Sequence, residues 1–256
     1  MSASTENAGR CVVVIPTYDE ALTIRTALDA VLRAAPYAEV LVVDDNSPDG
    51  TADVVRSHPA YGYGVHLLVR AGKSGLGDAY RAGFAWALDQ GYELIAQMDA
   101  DLSHPPERLP SLFAALGEAD VAVGSRYVRG GGVREWTWRR RALSRGGNIY
   151  VRLVLGIDVR DSTAGFKAFR REALETIEVL DSQASGYAFQ IENTWRALRC
   201  GLVVVEVPIV FTDRVEGTSK MSGPIAREAL GLVLRWRLAQ RRGQRHAAEA
   251  RGHAVV

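Results

Sequence analysis

Asp99 and Asp101 stand one residue apart, where the apolar run Leu94-Ile95-Ala96-Gln97-Met98 gives way to Leu102-Ser103-His104 and then Pro105-Pro106. In an extended chain, residues i and i+2 project to the same side, so these two carboxylates converge just past a strand's end. Like charges that close need a counter-charge, or one of them stays protonated. Mg2+ meets that need with one or two carboxylates, while substrate phosphates fill its other positions. The plainer reading is that Asp99 ends a strand and Asp101 caps a turn. The pair alone does not choose between the two.

Further reactive types follow other strand-like runs. Thr17-Tyr18-Asp19-Glu20 comes after a β-branched run; Thr-x-x-Glu is also a capping box, which would use Glu20 without a ligand. Asp44-Asp45 is followed by Ser47 and Asp49, either of which can cap a helix over 51–57. Two carboxylates at that strand end exceed what capping needs. Glu192, on the first turn of a predicted helix, suits a general base or merely the helix dipole. The stretch Arg214 to Gly223, with Ser219 and Lys220, reads as a phosphate-gripping lid or as a plain surface loop. Gly72-Lys73-Ser74 invites a nucleotide-binding loop, but that motif needs a glycine five residues before Gly72, and position 67 is Leu.

These residues require elements to hold them. Strands are predicted at 11–16, 40–43, 65–69, 93–98 and 121–124, alternating with helices at 21–34, 51–57, 78–89 and 107–117. Such alternation means right-handed βαβ units and an α/β fold with a mostly parallel central sheet flanked by helices. Ligands then bind at the carboxyl edge, where the acids lie. The first turn lacks the Gly-x-Gly-x-x-Gly of dinucleotide-binding proteins. After Ser125, Gly130-Gly131-Gly132 reads as a mobile link. Trp136 to about Leu155 reads as a basic amphipathic helix with Leu143, Tyr150, Leu153 and Val154 near one face. That insertion, 125–160, suits a membrane interface or a solvated basic face over two core tryptophans. Nucleic acid is a third reading, but no module for it is recognisable. Residues 161–169 alternate like a half-buried strand. Helices at 171–177, 189–200 and about 224–240, with a strand at 203–210, complete one domain over 11–240, between a polar leader (1–10) and a basic tail (241–256).

The 256 residues can bury one large core. Net charge is only +1, but nine arginines face two acids between Arg126 and Arg160, and seven face two between Arg227 and Arg251. An acidic pocket and a basic face are therefore expected together. Cys11 and Cys200 are too few for a disulfide framework, which favours a reducing compartment. No run approaches the ~20 apolar residues of a spanning helix.

In order and spacing, several stretches together resemble glycosyltransferase family 2, and within it the polyprenyl-phosphate (dolichyl-phosphate) mannose synthases. They are Ile15 to Glu20, Val42 to Thr51, Asp99 to Pro106, Gly124 to Tyr127, Gly165-Phe166-Lys167 and Arg214 to Lys220. The resemblance implies a GT-A (Rossmann-like) fold, a GDP-mannose donor, Mg2+ or Mn2+, and a polyprenyl monophosphate acceptor. It assigns the nucleotide sugar to Pro16, Tyr18, Glu20, Val43, Asp45, Asp99, Ala100, Asp101, Arg214 and Lys220. It assigns the acceptor phosphate to Arg126, Arg140 and Ser219, the metal to Asp101 and Ser103, and catalysis to Asp99, Asp101 and Arg126. Position 103 is often Gln in relatives; the shorter Ser103 leaves room for an intervening water. An acceptor that is already an anion needs no general base, so Glu192 becomes a positioning residue. The resemblance further implies an inverting enzyme, peripheral on the cytoplasmic face of a membrane, working with a separate or fused membrane-embedded partner protein. Rival readings are a family 2 transferase using another nucleotide sugar such as UDP-glucose, a nucleotidyltransferase, and a non-catalytic nucleotide-sugar-binding protein.

Overall fold

A computed structural model describes residues 9–182, 184, 186–213 and 230–239. The expected acids Asp99 and Asp101 are among them; Arg214, Ser219 and Lys220, the loop 214–223 and the tail 241–256 lie outside the described residues.

The chain alternates as β1 (Cys11–Thr17), α1 (Ile24–Ala34), β2 (Ala38–Asp44), α2 (Thr51–Arg56), β3 (Val65–Val69), α3 (Leu76–Asp89) and β4 (Leu94–Gln97). A 3-10 turn at Pro106–Arg108 then leads into α4 (Leu109–Ala115) and β5 (Val121–Ser125). Next come β6 (Gly132–Val133), α5 (Trp138–Leu155), β7 (Lys167–Arg170), α6 (Arg171–Thr176), α7 (Gly186–Arg199), β8 (Val204–Pro208), β9 (Val210–Phe211) and α8 (230–239). Seven strands form one sheet in the order β3-β2-β1-β4-β7-β5-β8, parallel except for β7; β6 and β9 make a separate parallel pair.

The β-branched run of β1 is buried on both faces, which is why it carries no polar alternation. Val13, Ile15, Val40 and Val42 pack against α1 and α4 on one side. Val12, Val14, Leu41 and Val43 pack against Tyr80 and Phe84 of α3 on the other. There the helix comes so close that a Cβ on Gly83 would sit 2.4 Å from Val14 Cγ1. A third cluster joins α5, α7 and α8 through Val151, Leu155, Ile191, Trp195 and Val233.

Four expectations need correction. The alternation at 161–169 is not a half-buried strand: 161–166 is turn and loop, and only Lys167–Arg170 pairs, antiparallel, in the middle of the sheet. Residues 130–132 are not a free link, because Gly132 pairs with Val210 and Gly131 lies where a Cβ would meet the Ser125 carbonyl at 2.5 Å. The predicted helix 21–34 begins only at Ile24, since the chain before it turns through left-handed Asp19. Of the two tryptophans offered as core, Trp136 is buried, whereas Trp138 is 73% exposed.

Candidate functional site

β1 sits between β2 and β4, and the chain leaves β1 in one direction for β2 and β3 and returns on the other side as β4. The crevice at such a reversal, outside the carboxyl ends of the strands, is where open α/β sheets bind ligands. The turns following β2, β1 and β4 therefore lie side by side, and each holds one non-glycine residue at positive φ: Asn46 (57°), Asp19 (58°) and Leu102 (59°). Backbone strain concentrated in three adjacent loops is typical of a site whose surroundings over-determine its geometry.

The first two turns are tied together. Thr17 donates its hydroxyl to Asp44 Oδ1 (2.8 Å), and Ser47 donates its own to the same oxygen (2.6 Å) and its amide to Oδ2 (2.9 Å). Thr17 is thus committed to Asp44 rather than to a helix cap, and the expected capping box does not form. Glu20 instead accepts from the Thr23 hydroxyl at 3.0 Å. Asp49 is not the helix cap, which is Gly50; it forms an Asx turn just before it, accepting the Thr51 amide and hydroxyl at 3.0 and 2.6 Å and the Ala21 amide at 2.9 Å. Asp45 is buried and pairs with Arg70 at 2.6 Å. Burial raises its pKa, and the Arg70 guanidinium opposes that rise. Tyr18 is half-exposed beneath Lys73, whose Nζ lies 3.9 Å from the ring centre. Pro16 and Glu20 are also half-exposed at this edge, whereas the Val43 side chain is fully enclosed against α3.

At the end of β4, Asp99 Oδ1 accepts the Tyr80 hydroxyl at 3.1 Å. Burial, reinforced by the Asp99 charge, drives the Tyr80 pKa well above its usual value, so Tyr80 remains a donor. Asp101 is buried, and its Oδ1 accepts both the Ser103 amide (3.0 Å) and the Ser103 hydroxyl (2.5 Å). This is an Asx turn, so Asp101 does shape the turn, as the plainer reading had it. Ala100 is buried between the two carboxylates in sequence. His104 accepts the Asp99 amide on Nδ1 at 3.3 Å and stacks on Phe166, with centroids 5.3 Å apart. Burial holds its pKa down, against an upward pull from Asp99 and Asp101.

Among the described residues no three His, Cys, Asp or Glu side chains converge on one point. That donor set fits a hard cation all the same. Mg2+ and Mn2+ accept one or two carboxylates and take the rest of their oxygens from water and substrate phosphates, whereas a complete protein cage is the habit of other ions. Asp99 and Asp101, with the Ser103 hydroxyl alongside, can supply such a partial shell.

The basic half of the site adjoins this turn. The Thr212 amide donates to the Ser103 carbonyl at 3.2 Å, and Phe211 meets His104 edge-on at 5.3 Å. Phe211 in turn packs edge-on against Trp136, whose ring carries Arg140 at 4.3 Å and Arg126 at 5.6 Å. Arg126 gives Nε and Nη2 to the fully buried Asp161 at 2.7 and 2.6 Å. Arg140 pairs with Asp213 at 2.5 Å. Glu192 is occupied by the Ser182 hydroxyl (2.5 Å), the Ala184 amide (3.2 Å) and Arg196 (2.6 Å), which suits a positioning residue better than a base. Sequence reasoning missed Arg70, Tyr80, His104, Asp161 and Phe211. Arg70 carried a signal as a cation directly after a strand, and His104 as a member of the Asp99 to Pro106 stretch.

Residues 12–178 match the family Glycosyl transferase family 2. The polyprenol monophosphomannose synthase of Mycolicibacterium smegmatis is 47% identical over 239 residues, which is 91% of this chain and 89% of that protein. The undecaprenyl-phosphate mannosyltransferase of Micrococcus luteus is 45% identical over 232 residues, covering 91% of this chain and 96% of its own. Among solved structures, glucosyl-3-phosphoglycerate synthase from Mycobacterium tuberculosis, in complex with Mn2+, UDP and glucosyl-3-phosphoglycerate, superposes with a TM-score of 0.66 at 19% identity. That superposition covers 90% of this chain and 80% of the other. It is a likeness of fold, the GT-A fold.

Proposed function

Because this chain belongs to glycosyl transferase family 2, we propose that it moves mannose from GDP-mannose to a polyprenyl monophosphate, inverting the anomeric carbon. The observation that carries this reading is the contact between Thr212 and Ser103, which sets the Asp99–Asp101 turn against the Arg126–Arg140 pair. A donor diphosphate and an acceptor phosphate can then meet between opposite charges. The two relatives at 45–47% identity supply the substrate class: their names state polyprenol and undecaprenyl phosphate as acceptors and mannose as the sugar.

A phosphomonoester has a second pKa near ~6 and is largely a dianion at neutral pH. Its oxygen attacks the anomeric carbon from the face opposite the diphosphate. The new C–O bond forms as the old one breaks, and the bonding pair leaves with GDP. No proton has to be removed from the nucleophile, which agrees with Glu192 being fully occupied. Mg2+ or Mn2+, held by Asp101 and reached by Ser103, would supply Lewis-acid neutralisation of the departing diphosphate. Asp99 is aimed by the Tyr80 hydroxyl and, through its amide, by His104. Pro16, Tyr18, Glu20, Asp45 and the backbone at Val43 and Ala100 line the nucleotide side. Arg214 and Lys220 are assigned to the diphosphate, and Ser219 joins the acceptor phosphate. Arginine suits that phosphate, because its planar fork binds two oxygens at once.

The acceptor's tail stays in a bilayer, so the protein works at a membrane's cytoplasmic surface, through α5, the basic tail and a membrane-embedded partner. No described helix is long and apolar enough to cross a membrane.

The test is incubation with radiolabelled GDP-mannose, or with UDP-glucose, plus polyprenyl phosphate and Mn2+, followed by organic extraction. Label is expected in the organic phase from GDP-mannose, with a loss of at least about a hundredfold in Asp101→Asn. Transfer from UDP-glucose alone would replace the donor. An Asp101→Asn protein with wild-type turnover would remove the carboxylate from the metal's shell.

A further inference from the structure

Beyond the catalytic edge, the far side of α5 carries a second set of cations that the reaction does not use. Residues 138, 145, 149, 152 and 153 recur at spacings that bring them to one side of a 3.6-residue helix. That side is outward: Trp138, Ile149 and Leu153 are 73%, 54% and 78% exposed. The opposite side, with Val151 and Leu155, is buried. Between this outward face and the chain leaving α5 lies a cleft of about 220 Å3 bounded by Tyr127, Arg145, Asn148, Ile149, Arg152 and Arg160. It is smaller than the roughly 300 Å3 at which pockets for drug-sized ligands begin. Its size suits a single phosphate group better than a whole nucleotide sugar.

The charges around it are under-committed. Arg145 and Arg160 form no ion pair among the described residues; Arg145 has only the Tyr127 ring, 5.8 Å away. Arg152 Nε is buried with no hydrogen-bond partner. Its Nη2 reaches Asp158 at 2.7 Å, but that carboxylate is 93% exposed and readily exchanged for another anion. Three guanidiniums around a small cleft, one of them with an orphaned buried N–H, describe an anion site. Ile149 and Arg152 also border an adjoining groove of about 410 Å3 that continues along Leu153, Gly156 and Ile157, with Asp158, the Arg152 partner, at its polar edge. Cationic cleft and apolar groove thus open side by side on one exposed face.

We infer that this cleft binds the phosphate of an anionic phospholipid, with the apolar groove and Leu153 taking the start of an acyl chain. The inference rests on the reading of this protein as a membrane-surface transferase and deepens it. The general attraction of a basic face becomes a headgroup seat at Arg145, Arg152 and Arg160, which adjoins Arg126 across the shared Tyr127 ring. Seating a lipid there fixes the rotation of α5 on the bilayer, so that the acceptor arginines face the layer from which the polyprenyl phosphate comes.

The test is co-sedimentation of the full chain with phosphatidylcholine vesicles with and without phosphatidylglycerol, free of polyprenyl phosphate. The wild type is expected to bind only the anionic vesicles. Arg145→Gln with Arg160→Gln should lower partitioning about 25-fold, at about fivefold per cation near an anionic surface. A charge-matched control, Arg25→Gln with Arg33→Gln on α1, should change it less than about twofold, since charges beyond a Debye length of about 10 Å are screened. Equal losses in the two pairs, no loss in the first pair, or a wild type that ignores anionic vesicles would each overturn the inference. Sugar transfer to a short-chain polyprenyl phosphate in detergent is the separate readout, and there the Arg145/Arg160 variant should match the wild type. If the wild type bound anionic vesicles through these arginines but transferred nothing, the transferase reading would fall and the headgroup seat would stand.

Discussion

Arg126 and Arg140 look interchangeable in the sequence, as two arginines of one basic stretch, but their carboxylate partners make them different. Asp161 is fully buried and holds Arg126 through two guanidinium nitrogens and the backbone amide. Asp213 is 32% exposed and holds Arg140 by one. Removing Arg126 strands a buried charge, which costs about 3–5 kcal/mol. Removing Arg140 breaks a part-exposed pair worth at most about 1 kcal/mol. Arg126→Ala is therefore expected to lower stability in urea unfolding by several kcal/mol as well as impairing turnover. Arg140→Ala should keep near wild-type stability and show its loss in the acceptor KM. Equal destabilisation in both would refute this division of roles. The same contrast shows what a sequence conveys at this scale. Asp99 and Asp101 stood out because two carboxylates after an apolar run are local information, although β4 ends at Gln97 and Asp101 lies in a turn, so the strand's period of two does not carry as far as the pair. The partners Tyr80 and Asp161 were not, because each reaches its residue through packing between different elements, and His104, although in the same turn as Asp99, has its ring set by stacking on the distant Phe166.

At the scale of elements, the alternation of strands and helices was legible from Cys11 to Ser125 because each run had one period and an evident breaker. The reading failed where tertiary pairing overrode local pattern. Three consecutive glycines looked like slack, yet Gly132 pairs with Val210 and so closes the β6–β9 ribbon over the end of β4. That ribbon ties the two halves of the site, from Ser103 and His104 through Phe211 to Trp136 and the arginines on its face. Trp136 is thus a positioning residue for Arg140. An indole under a guanidinium is worth about 1 kcal/mol, or about fivefold in affinity. In Trp136→Leu the acceptor KM should rise about fivefold while the donor KM holds. Trp136→Phe, which keeps an aromatic face and most of the packing, should recover a good part of the loss. A donor KM that rose in parallel would show general damage rather than positioning.

For the whole molecule, the antiparallel strand β7 was the feature least legible beforehand, and it places a lysine in the core. The alternation around Gly165-Phe166-Lys167 suggested a polar residue facing water. In the structure Lys167 is fully buried in the middle of the sheet, donating to the Gln190 carbonyl at 2.6 Å and the Thr194 hydroxyl at 2.8 Å. Two acceptors match the two N–H bonds of a neutral amine, and burial lowers its pKa to about 7 against a pull upward from Asp161. The unfolded chain then carries a proton that the folded chain has released, from about pH 7 up to the free value of ~10.4. Stability must rise with pH across that window, by up to ~1.4 kcal/mol per unit, and this contribution is flat below it, where both states are protonated. Cys11, whose thiol burial pushes up to about 11, titrates above its ordinary value and works the other way only from about pH 9. Unfolding by urea at pH 6, 7, 8 and 9 therefore isolates the lysine. The wild type should gain on Lys167→Met steadily between pH 7 and 9, and the gap between them should stay constant from pH 6 to 7. A gap that did not change with pH anywhere in this range would mean that Lys167 is charged inside the fold. The sheet would then have to hold a cation on the pull of Asp161, a carboxylate already paired with Arg126.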